Sequence, residues 1–174
     1  NIIYLNSEKF DISSNVEKSL RNSINTNILN YFHDLNSRIK IDVKSARLDN
    51  DHNLENLIGN IIIKNNKADK INLNANFNHT NQFIYTKNDL NGKKVTTIYS
   101  DIAKPFVKKF KFIKGFEDGR LDFTSTEISD DQSKSELRIY DFKLKDMPAL
   151  TKLLSLSSLQ GIADLATGEG IRFN

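Results

Sequence analysis

Side chains that could perform acid–base, nucleophilic or metal-dependent chemistry are few in this 174-residue chain, and they are widely spaced. The histidines lack the spacing that is typical of metal ligands. Paired carboxylates occur in segments of turn-like composition, which favours exposed turns over acid–base catalysis. The residues concerned are His33, His52 and His79, and the pairs Asp49 with Asp51, Glu117 with Asp118, and Asp130 with Asp131. We therefore expect no catalytic residue, no metal, no cofactor and no enzymatic activity.

The remaining candidates for chemistry favour structural roles. The chain has no cysteine, which excludes disulfides, zinc–thiolate sites and thiol nucleophiles. Ser155, Ser157 and Ser158 lie in a leucine-rich helical pattern with no histidine near them in sequence, so we interpret them as small packing residues. Segment 104–114 interleaves lysine with phenylalanine, a pattern that suits nucleic acid or an anionic membrane surface. We favour a short helix that packs its phenylalanines on a sheet, and we expect no nucleic-acid partner.

Hydrophobic periodicity predicts a mainly β chain of the α+β class. Segment 1–38 is expected to form a short strand and an amphipathic helix over about 14–36, where apolar residues recur at helical spacing. From residue 39 the period changes to two, which predicts an antiparallel sheet over 39–147. The predicted fold is a long curved antiparallel β-meander with one hydrophobic face, preceded by this N-terminal amphipathic helix.

Turn and cap signals divide the predicted sheet into strands. Asn91-Gly92 is typical of a two-residue hairpin turn, and Asp130-Asp131 marks a second turn. Asp101 is placed to cap a short helix inserted over 101–112. We therefore expect short inserted helices between consecutive strands.

The alternating strands gather apolar residues on one side of the predicted sheet. These residues are Ile61, Ile63, Ile71, Leu73, Ala75, Phe77, Leu121, Phe123, Leu137, Ile139, Phe142 and Leu144. The last four change parity within one strand, so we predict a β-bulge at Tyr140-Asp141 that returns them to one face. An uncovered face would form a groove suited to acyl chains, whereas a covered face would belong to a closed core. The pattern leaves both alternatives open.

The C-terminal segment, 148–174, is expected to form a helical cap and the start of a further strand. Asp146 suits the N-cap of a helix, and Pro148 suits its first turn. Leucines form an apolar stripe, and Gly161 and Gly168 are placed to end short helices. Because the chain begins with Asn rather than Met, we expect residues 1–174 to be a single fragment of a larger protein.

A motif in this segment resembles the C-terminal region of AsmA-like, YhdP-type bacterial envelope proteins. Its residues are Asp146, Pro148, Leu150, Leu153, Leu154, Ser155, Leu156, Ser158, Leu159, Gly161, Gly168, Glu169, Gly170 and Phe173. The upstream order is similar too: Asp101 opens a short helix, Gly115 and Gly119 precede a strand, and a second strand leads into the motif. The resemblance is specific over about 92–174 and extends in looser form over 39–91.

This resemblance implies a non-enzymatic periplasmic domain of an inner-membrane-anchored protein of the Gram-negative cell envelope. In that family a hydrophobic β-groove carries phospholipid between the inner and outer membranes. The twelve apolar residues would then line a lipid groove and contact phospholipid acyl chains, while the motif residues would be structural. The membrane anchor would lie outside this fragment, and other envelope proteins would be candidate partners. The alternative is a structural or adaptor domain of an envelope complex, with a closed core and no lipid groove.

Overall fold

The computed structural model describes residues 1–13, 36–107, 115–129, 132–145 and 171–173, the last of these by backbone alone. Nine strands form one sheet, in which they follow the order of the chain. They are β1 (Ile2–Asp11), β2 (Ser37–Arg47), β3 (Asn53–Lys64), β4 (Lys67–Phe77), β5 (Asn81–Leu90), β6 (Lys93–Ser100), β7 (Phe116–Ser129), β8 (Gln132–Leu144) and β9 (Ile171–Phe173). A four-residue helix, α1 (Lys104–Val107), follows β6. The described chain is therefore mainly β, as the periodicity predicts.

Consecutive antiparallel pairing runs from β2 to β9, which confirms the predicted meander over eight strands. The first strand differs, because β1 pairs with β2 in parallel, with Leu5 opposite Ile41. A parallel neighbour requires a crossover connection instead of a hairpin. Residues 14–35, which connect the two strands and include most of the predicted N-terminal helix, lie outside the described residues. A period of two does not reveal strand direction, so the sequence assigns no direction to β1, and the antiparallel sheet predicted over 39–147 is extended at this edge by a parallel strand.

Asparagine-rich turns connect the strands of the meander. Asn65 and Asn66 both adopt positive φ between β3 and β4, and Asn91 and Gly92 do so between β5 and β6. Two central residues with positive φ define a type I′ turn, whose twist matches that of the paired strands. Asparagine adopts this conformation more readily than most residues. The hairpin predicted at Asn91-Gly92 is confirmed.

The fourth strand, β4, shows the alternation of buried and exposed residues most clearly. Ile71, Leu73, Ala75 and Phe77 are 2%, 8%, 4% and 1% exposed, while the residues between them are exposed or partly exposed. We call the side of the sheet that carries these four residues the core side. Residues directly opposite each other in neighbouring antiparallel strands share a side, so the strand pairing extends the core side across the sheet.

A backbone irregularity in β3 keeps its apolar residues on the core side. Asn56 has a φ of 52°, and the register between β3 and β4 shifts between Glu55 and Ile58. Leu54 and Leu57 are separated by three positions, yet both are buried, at 1% and 6% exposure. An unbroken strand would place them on opposite sides, so the irregularity is what brings both into the core.

β7 and β8 change side together where Gly119 faces Asp141. Their φ values are 83° and 54°, and the pairing registers before and after this point agree, so neither strand carries an extra residue here. The β-bulge predicted at Tyr140-Asp141 is therefore wrong, because two facing residues share the change of direction. Its expected consequence holds, since Ile139 and Phe142 both pack against the core.

The short helix α1 follows β6 at one end of the sheet. Asp101, the predicted N-cap, accepts hydrogen bonds from the backbone N–H of Gln82 at 2.7 Å and from the Tyr99 hydroxyl at 2.5 Å. Asp101 therefore ties the end of β6 to β5, and the helix begins three residues later. Phe106 of this helix is buried. The rest of the predicted helix, like the predicted Asp130-Asp131 turn, lies outside the described residues.

Candidate apolar surface

A continuous row of apolar residues crosses the core side of the sheet. Each member lies directly opposite the next in the neighbouring strand, from β1 to β8. This central row consists of Leu5, Ile41, Gly59, Leu73, Tyr85, Ile98, Phe123 and Leu137. With strands about 4.8 Å apart, a row of eight strands extends over about 34 Å. The strand pairing thus provides an apolar path across most of the sheet.

Two further rows flank the central row and differ from it in polarity. The deep row, on the side nearer α1, consists of Ala75, Phe83, Ser100, Leu121 and Ile139. The rim row, on the side nearer the β5–β6 hairpin, consists of Ile3, Ile39, Ile61, Ile71, Lys87, Thr96, Ser125 and Ser135. The rim row is therefore apolar from β1 to β4 and polar from β5 to β8.

Exposure rises from the deep row to the central row in the half of the sheet formed by β5–β8. The deep-row residues of β5, β6 and β7 are at most 7% exposed. The central-row residues of the same three strands are partly buried, and Leu137 in β8 is 43% exposed. Ser135 of the rim row is exposed. Leu137 is therefore the exposed member of the central row, while Tyr85, Ile98 and Phe123 are partly buried, as are Leu5, Ile41 and Gly59 at the other end of the row.

Ion pairs lie at the rim end of this surface. Lys87 Nζ is 2.6 Å from Glu127 Oε1, which joins β5 to β7. Lys94 Nζ is 2.7 Å from a carboxylate oxygen of Asp69 and 3.7 Å from one of Asp89, which joins β6 to β4 and β5. The two lysine side chains are only 16% and 28% exposed, so much of each apolar stem is covered. We call these five residues the ionic rim.

The ionic rim and the central row differ sharply in electrostatics. Hydrogen bonds from Lys64 and Lys94 hold the pKa of Asp69 below its usual value, and the hydrogen bond with Asp69 raises the pKa of Lys94. Both shifts favour the charged forms. Burial raises the pKa of Tyr85, in the central row, to about 12, which favours its neutral form. Since Tyr85 and Lys87 are two residues apart in β5, the surface changes from apolar to charged over a short distance.

Aromatic side chains fill the opposite end of the surface. The ring of Phe83 stacks on that of Phe106 from α1, with centroids 5.7 Å apart. It meets Phe77 edge to face, with centroids 6.5 Å apart. All three rings are at most 7% exposed. Protein therefore occupies the deep end, and the rim end is the accessible one.

The residues predicted to line a groove divide into three groups by exposure. Ile63, Ile71, Leu73, Ala75, Phe77 and Leu121 are buried; Ile61, Phe123, Ile139, Phe142 and Leu144 are partly buried; Leu137 is exposed. Sequence reasoning misses Ile98, because apolar residues in β6 occur at both parities and assign no side to the strand. The pairing with Phe123 and Tyr85 is what places Ile98 in the central row.

The predicted structural motif of the C-terminal segment has little described structure. Residues 146–170, which hold all of its members except Phe173, lie outside the described residues. Phe173 belongs to β9, and this strand pairs with the end of β8. The packing role predicted for the motif therefore stays a prediction.

A separate polar cluster lies in the turn between β2 and β3. Asp49, Asp51 and His52 place one potential ligand atom each within 4.8 Å of one another. Asp49 Oδ1 accepts hydrogen bonds from the backbone N–H groups of Asp51 and His52, each at 2.8 Å, and lies 2.9 Å from His52 Nδ1. Burial opposes the ionisation of Asp49, but these hydrogen bonds outweigh it and lower its pKa. Such contacts are those of an aspartate that fixes its own turn. The expectation of no metal stays a prediction.

The chain matches no family model, no curated protein and no solved structure. No helix in the described part of the chain combines the length and the apolar character needed to cross a membrane. The resemblance to AsmA-like proteins therefore stays a prediction that rests on the C-terminal motif and on the order of the elements before it.

Proposed function

We propose that this protein is a non-enzymatic segment of a lipid conduit in the periplasm of a Gram-negative envelope. The core side of the sheet binds phospholipid acyl chains along the central row as lipids move between the inner and outer membranes. The membrane anchor belongs to another part of the longer protein. The role of this segment is to shield acyl chains from water, so it requires no catalytic group.

The half of the central row that lies in β5–β8 is the observation that carries this proposal. Tyr85, Ile98, Phe123 and Leu137 are direct neighbours in four consecutive strands, and exposure reaches 43% at Leu137. Covering apolar surface contributes about 25 cal/mol per Å², so an acyl chain laid along this row is stabilised. Ile98, Phe123 and Leu137 present apolar side chains in three consecutive strands, so a bound chain meets no charged group as it moves along this part of the row.

The family resemblance supports the same function and supplies its cellular setting. A fold by itself does not define a function, so the periplasmic location and the two membranes come from this resemblance. The meander is the kind of sheet that the resemblance implies. The central row adds a specific surface on which the proposed lipid contact can be tested.

A structural or adaptor domain is the second candidate function. Leu54, Ile71 and Phe77 are 1–2% exposed, as deeply buried as residues of a closed core. These residues belong to β3 and β4, whereas Leu137, the exposed member of the central row, belongs to β8. An adaptor would cover the surface of β5–β8 with another protein, and a conduit would cover it with lipid.

Photo-crosslinking in cells distinguishes these two functions. A photoreactive phenylalanine analogue at Phe123 lies on the core side, and the same group at Thr124 lies on the opposite side. We expect phospholipid to crosslink at position 123 and not at position 124. Crosslinks to protein alone at position 123 would favour the adaptor. If position 123 gives no lipid adduct while the cells retain the activity of the protein, the conduit is wrong.

A further inference from the structure

The polarity of the core side in β5–β8 gives a bound lipid a direction. We propose that this surface binds a zwitterionic phospholipid with its headgroup at the ionic rim and its acyl chain on the central row. This inference rests on the proposed function, because it concerns a lipid on the same surface. Beyond that function, the inference specifies which end of the strands binds the headgroup and which class of headgroup is preferred.

The rim end offers hydrogen-bonding groups that the central row lacks. Lys87, Thr96 and Ser125 are direct neighbours in the rim row. The Ser135 hydroxyl continues this polar strip and donates to Ser125 Oγ at 2.8 Å. One step along the strands, at about 7 Å for two residues, the neighbours become Tyr85, Ile98 and Phe123. The polar rim row and the apolar central row therefore follow each other in the same order as the headgroup and the acyl chain of a phospholipid.

The deep end is unsuitable for a headgroup. Its floor is the stacked pair Phe83 and Phe106. The hydroxyl of the deep row, Ser100 Oγ, is fully buried and donates to the carbonyl oxygen of Ile102 at 2.7 Å. A charged headgroup at this end would lose hydration without gaining a partner, which is strongly unfavourable.

The charges of the ionic rim are balanced only when Lys64 is counted with it, and this balance indicates the headgroup class. Lys64 also pairs with Asp69, at 2.8 Å, so three lysines face three carboxylates. Glu127 and Asp89 are about half exposed, and Lys87 is the more covered partner of Glu127. In a headgroup with both charges, the phosphate can pair with a rim lysine and the ammonium group with the carboxylate that this lysine leaves. No charge is then left unpaired. An anionic headgroup would leave one rim carboxylate without a cation.

Fluorescence quenching tests the orientation, because the chain has no cysteine of its own. Single cysteines replace Ser133, at the rim opposite Glu127, or Leu137, in the central row. Both positions are exposed and lie about 13 Å apart on the same side of β8. Each is labelled with a small fluorophore and mixed with phosphatidylcholine that carries a nitroxide either on its headgroup or near the end of an acyl chain. Lys134→Cys on the opposite side is the control.

We expect the headgroup nitroxide to quench position 133 at least twofold more than position 137, and the chain nitroxide to show the reverse preference. Equal quenching at both positions, or the reversed pattern, would overturn the orientation and leave the lipid-binding function intact. Quenching at neither position would overturn the proposed function together with this inference. Position 134 should show no quenching in any mixture.

Competition tests the headgroup class. Unlabelled phosphatidylcholine should relieve quenching at position 137 at a several-fold lower concentration than phosphatidylglycerol does. In the variant Glu127→Gln, which gives the rim an excess of lysine, this preference should shrink or reverse. Equal competition by both lipids in the unaltered chain would overturn the zwitterionic assignment.

Discussion

β4 and β8 both present apolar residues to the core side, yet they bury these residues to very different depths. In β4, four successive core-side residues are at most 8% exposed. In β8, Leu137 is 43% exposed, and Ile139 and Phe142 are partly buried. The difference follows from position, because the core-side residues of β4 lie between β3 and β5, whereas among the described residues β9 pairs with the end of β8 alone. Alternation therefore sets the side of a residue, and the neighbouring strands set its depth.

The test with the largest expected effect introduces the same charged residue, aspartate, into both strands. Leu73→Asp should destabilise the protein by about 3–5 kcal/mol, because an aspartate there would be buried without a partner. Leu137→Asp should cost less than about 1 kcal/mol, since that position is accessible to water. Both residues belong to the central row, so they form a matched pair. Urea denaturation of the two variants gives the free energies of unfolding.

Similar losses of stability in both variants would contradict the comparison, because they would place Leu137 in a sealed core. Two small losses would indicate that β4 is itself open to water. If Leu73 lies in a closed core and Leu137 is accessible to water, Leu73→Asp must lower stability much more than Leu137→Asp does.

The period-two pattern predicts the meander and the sides of most apolar residues, and it does so for reasons of backbone geometry. It does not predict the parallel direction of β1, because parallel and antiparallel strands have the same side-chain period. It does not predict the pairing of Lys94 with Asp69, since that contact depends on the register of distant strands. It also gives no sign of the turn at Asn65-Asn66, which is of type I′. Here the missed signal is the tolerance of asparagine for positive φ.

Two glycines extend the comparison of β4 and β8 to the backbone, because Gly59 lies against β4 and Gly119 lies against β8. Gly59 has a φ of 149°, and a Cβ there would collide with the backbone carbonyl oxygen of Asn72 in β4. Gly119 has a φ of 83°, and a Cβ there would come within 2.9 Å of Phe142 Cβ and 3.2 Å of the Phe116 ring. We expect Gly59→Ala to lower the free energy of unfolding by about 2–4 kcal/mol and Gly119→Ala by about half of that. The reason is that the backbone of a paired strand can move aside less than a side chain can.

Thermal or urea unfolding measures both glycine variants, and Gly92→Ala serves as their control. A Cβ at Gly92 meets no atom within 4 Å, so only its φ of 78° opposes the substitution. Its cost should be about 1 kcal/mol. If Gly59→Ala lowers the free energy of unfolding no more than Gly92→Ala does, the backbones of β3 and β4 do not approach each other closely at Gly59.

The central row between β4 and β8 should be sensitive to alkaline pH through Tyr85. Burial raises the pKa of Tyr85 from 10.0 to about 12, so its neutral form contributes stability that is fully present below pH 10. This stability is lost as the pH rises from about 10 to about 12, by up to about 1.4 kcal/mol per pH unit. Tyr85→Phe should show a shallower decline over that range in unfolding experiments. Identical pH profiles would show that the hydroxyl is not desolvated.

Asp69, which joins β4 to β6 through Lys94, should give the smallest effect. Hydrogen bonds from Lys64 and Lys94 lower its pKa below 3.8, so its contribution is present above about pH 4 and is lost as the pH falls through the lowered value. Asp69→Asn should reduce stability by less than about 1 kcal/mol at pH 7, because the ion pairs are near the surface. The difference from the unaltered protein should shrink as the pH falls below about 4 and vanish once Asp69 is protonated in the folded state. A constant difference at every pH would mean that the charge is not responsible.

The central claim, that the apolar surface of β5–β8 takes acyl chains, is tested most directly with a tryptophan, which the chain lacks. Phe123→Trp places the fluorophore in the central row, and Thr124→Trp places it on the opposite side of the same strand. Each variant is mixed with phosphatidylcholine whose acyl chains carry bromine, a contact quencher of tryptophan. We predict strong quenching at position 123 and none at position 124. No quenching at position 123, or equal quenching at both positions, would contradict the account.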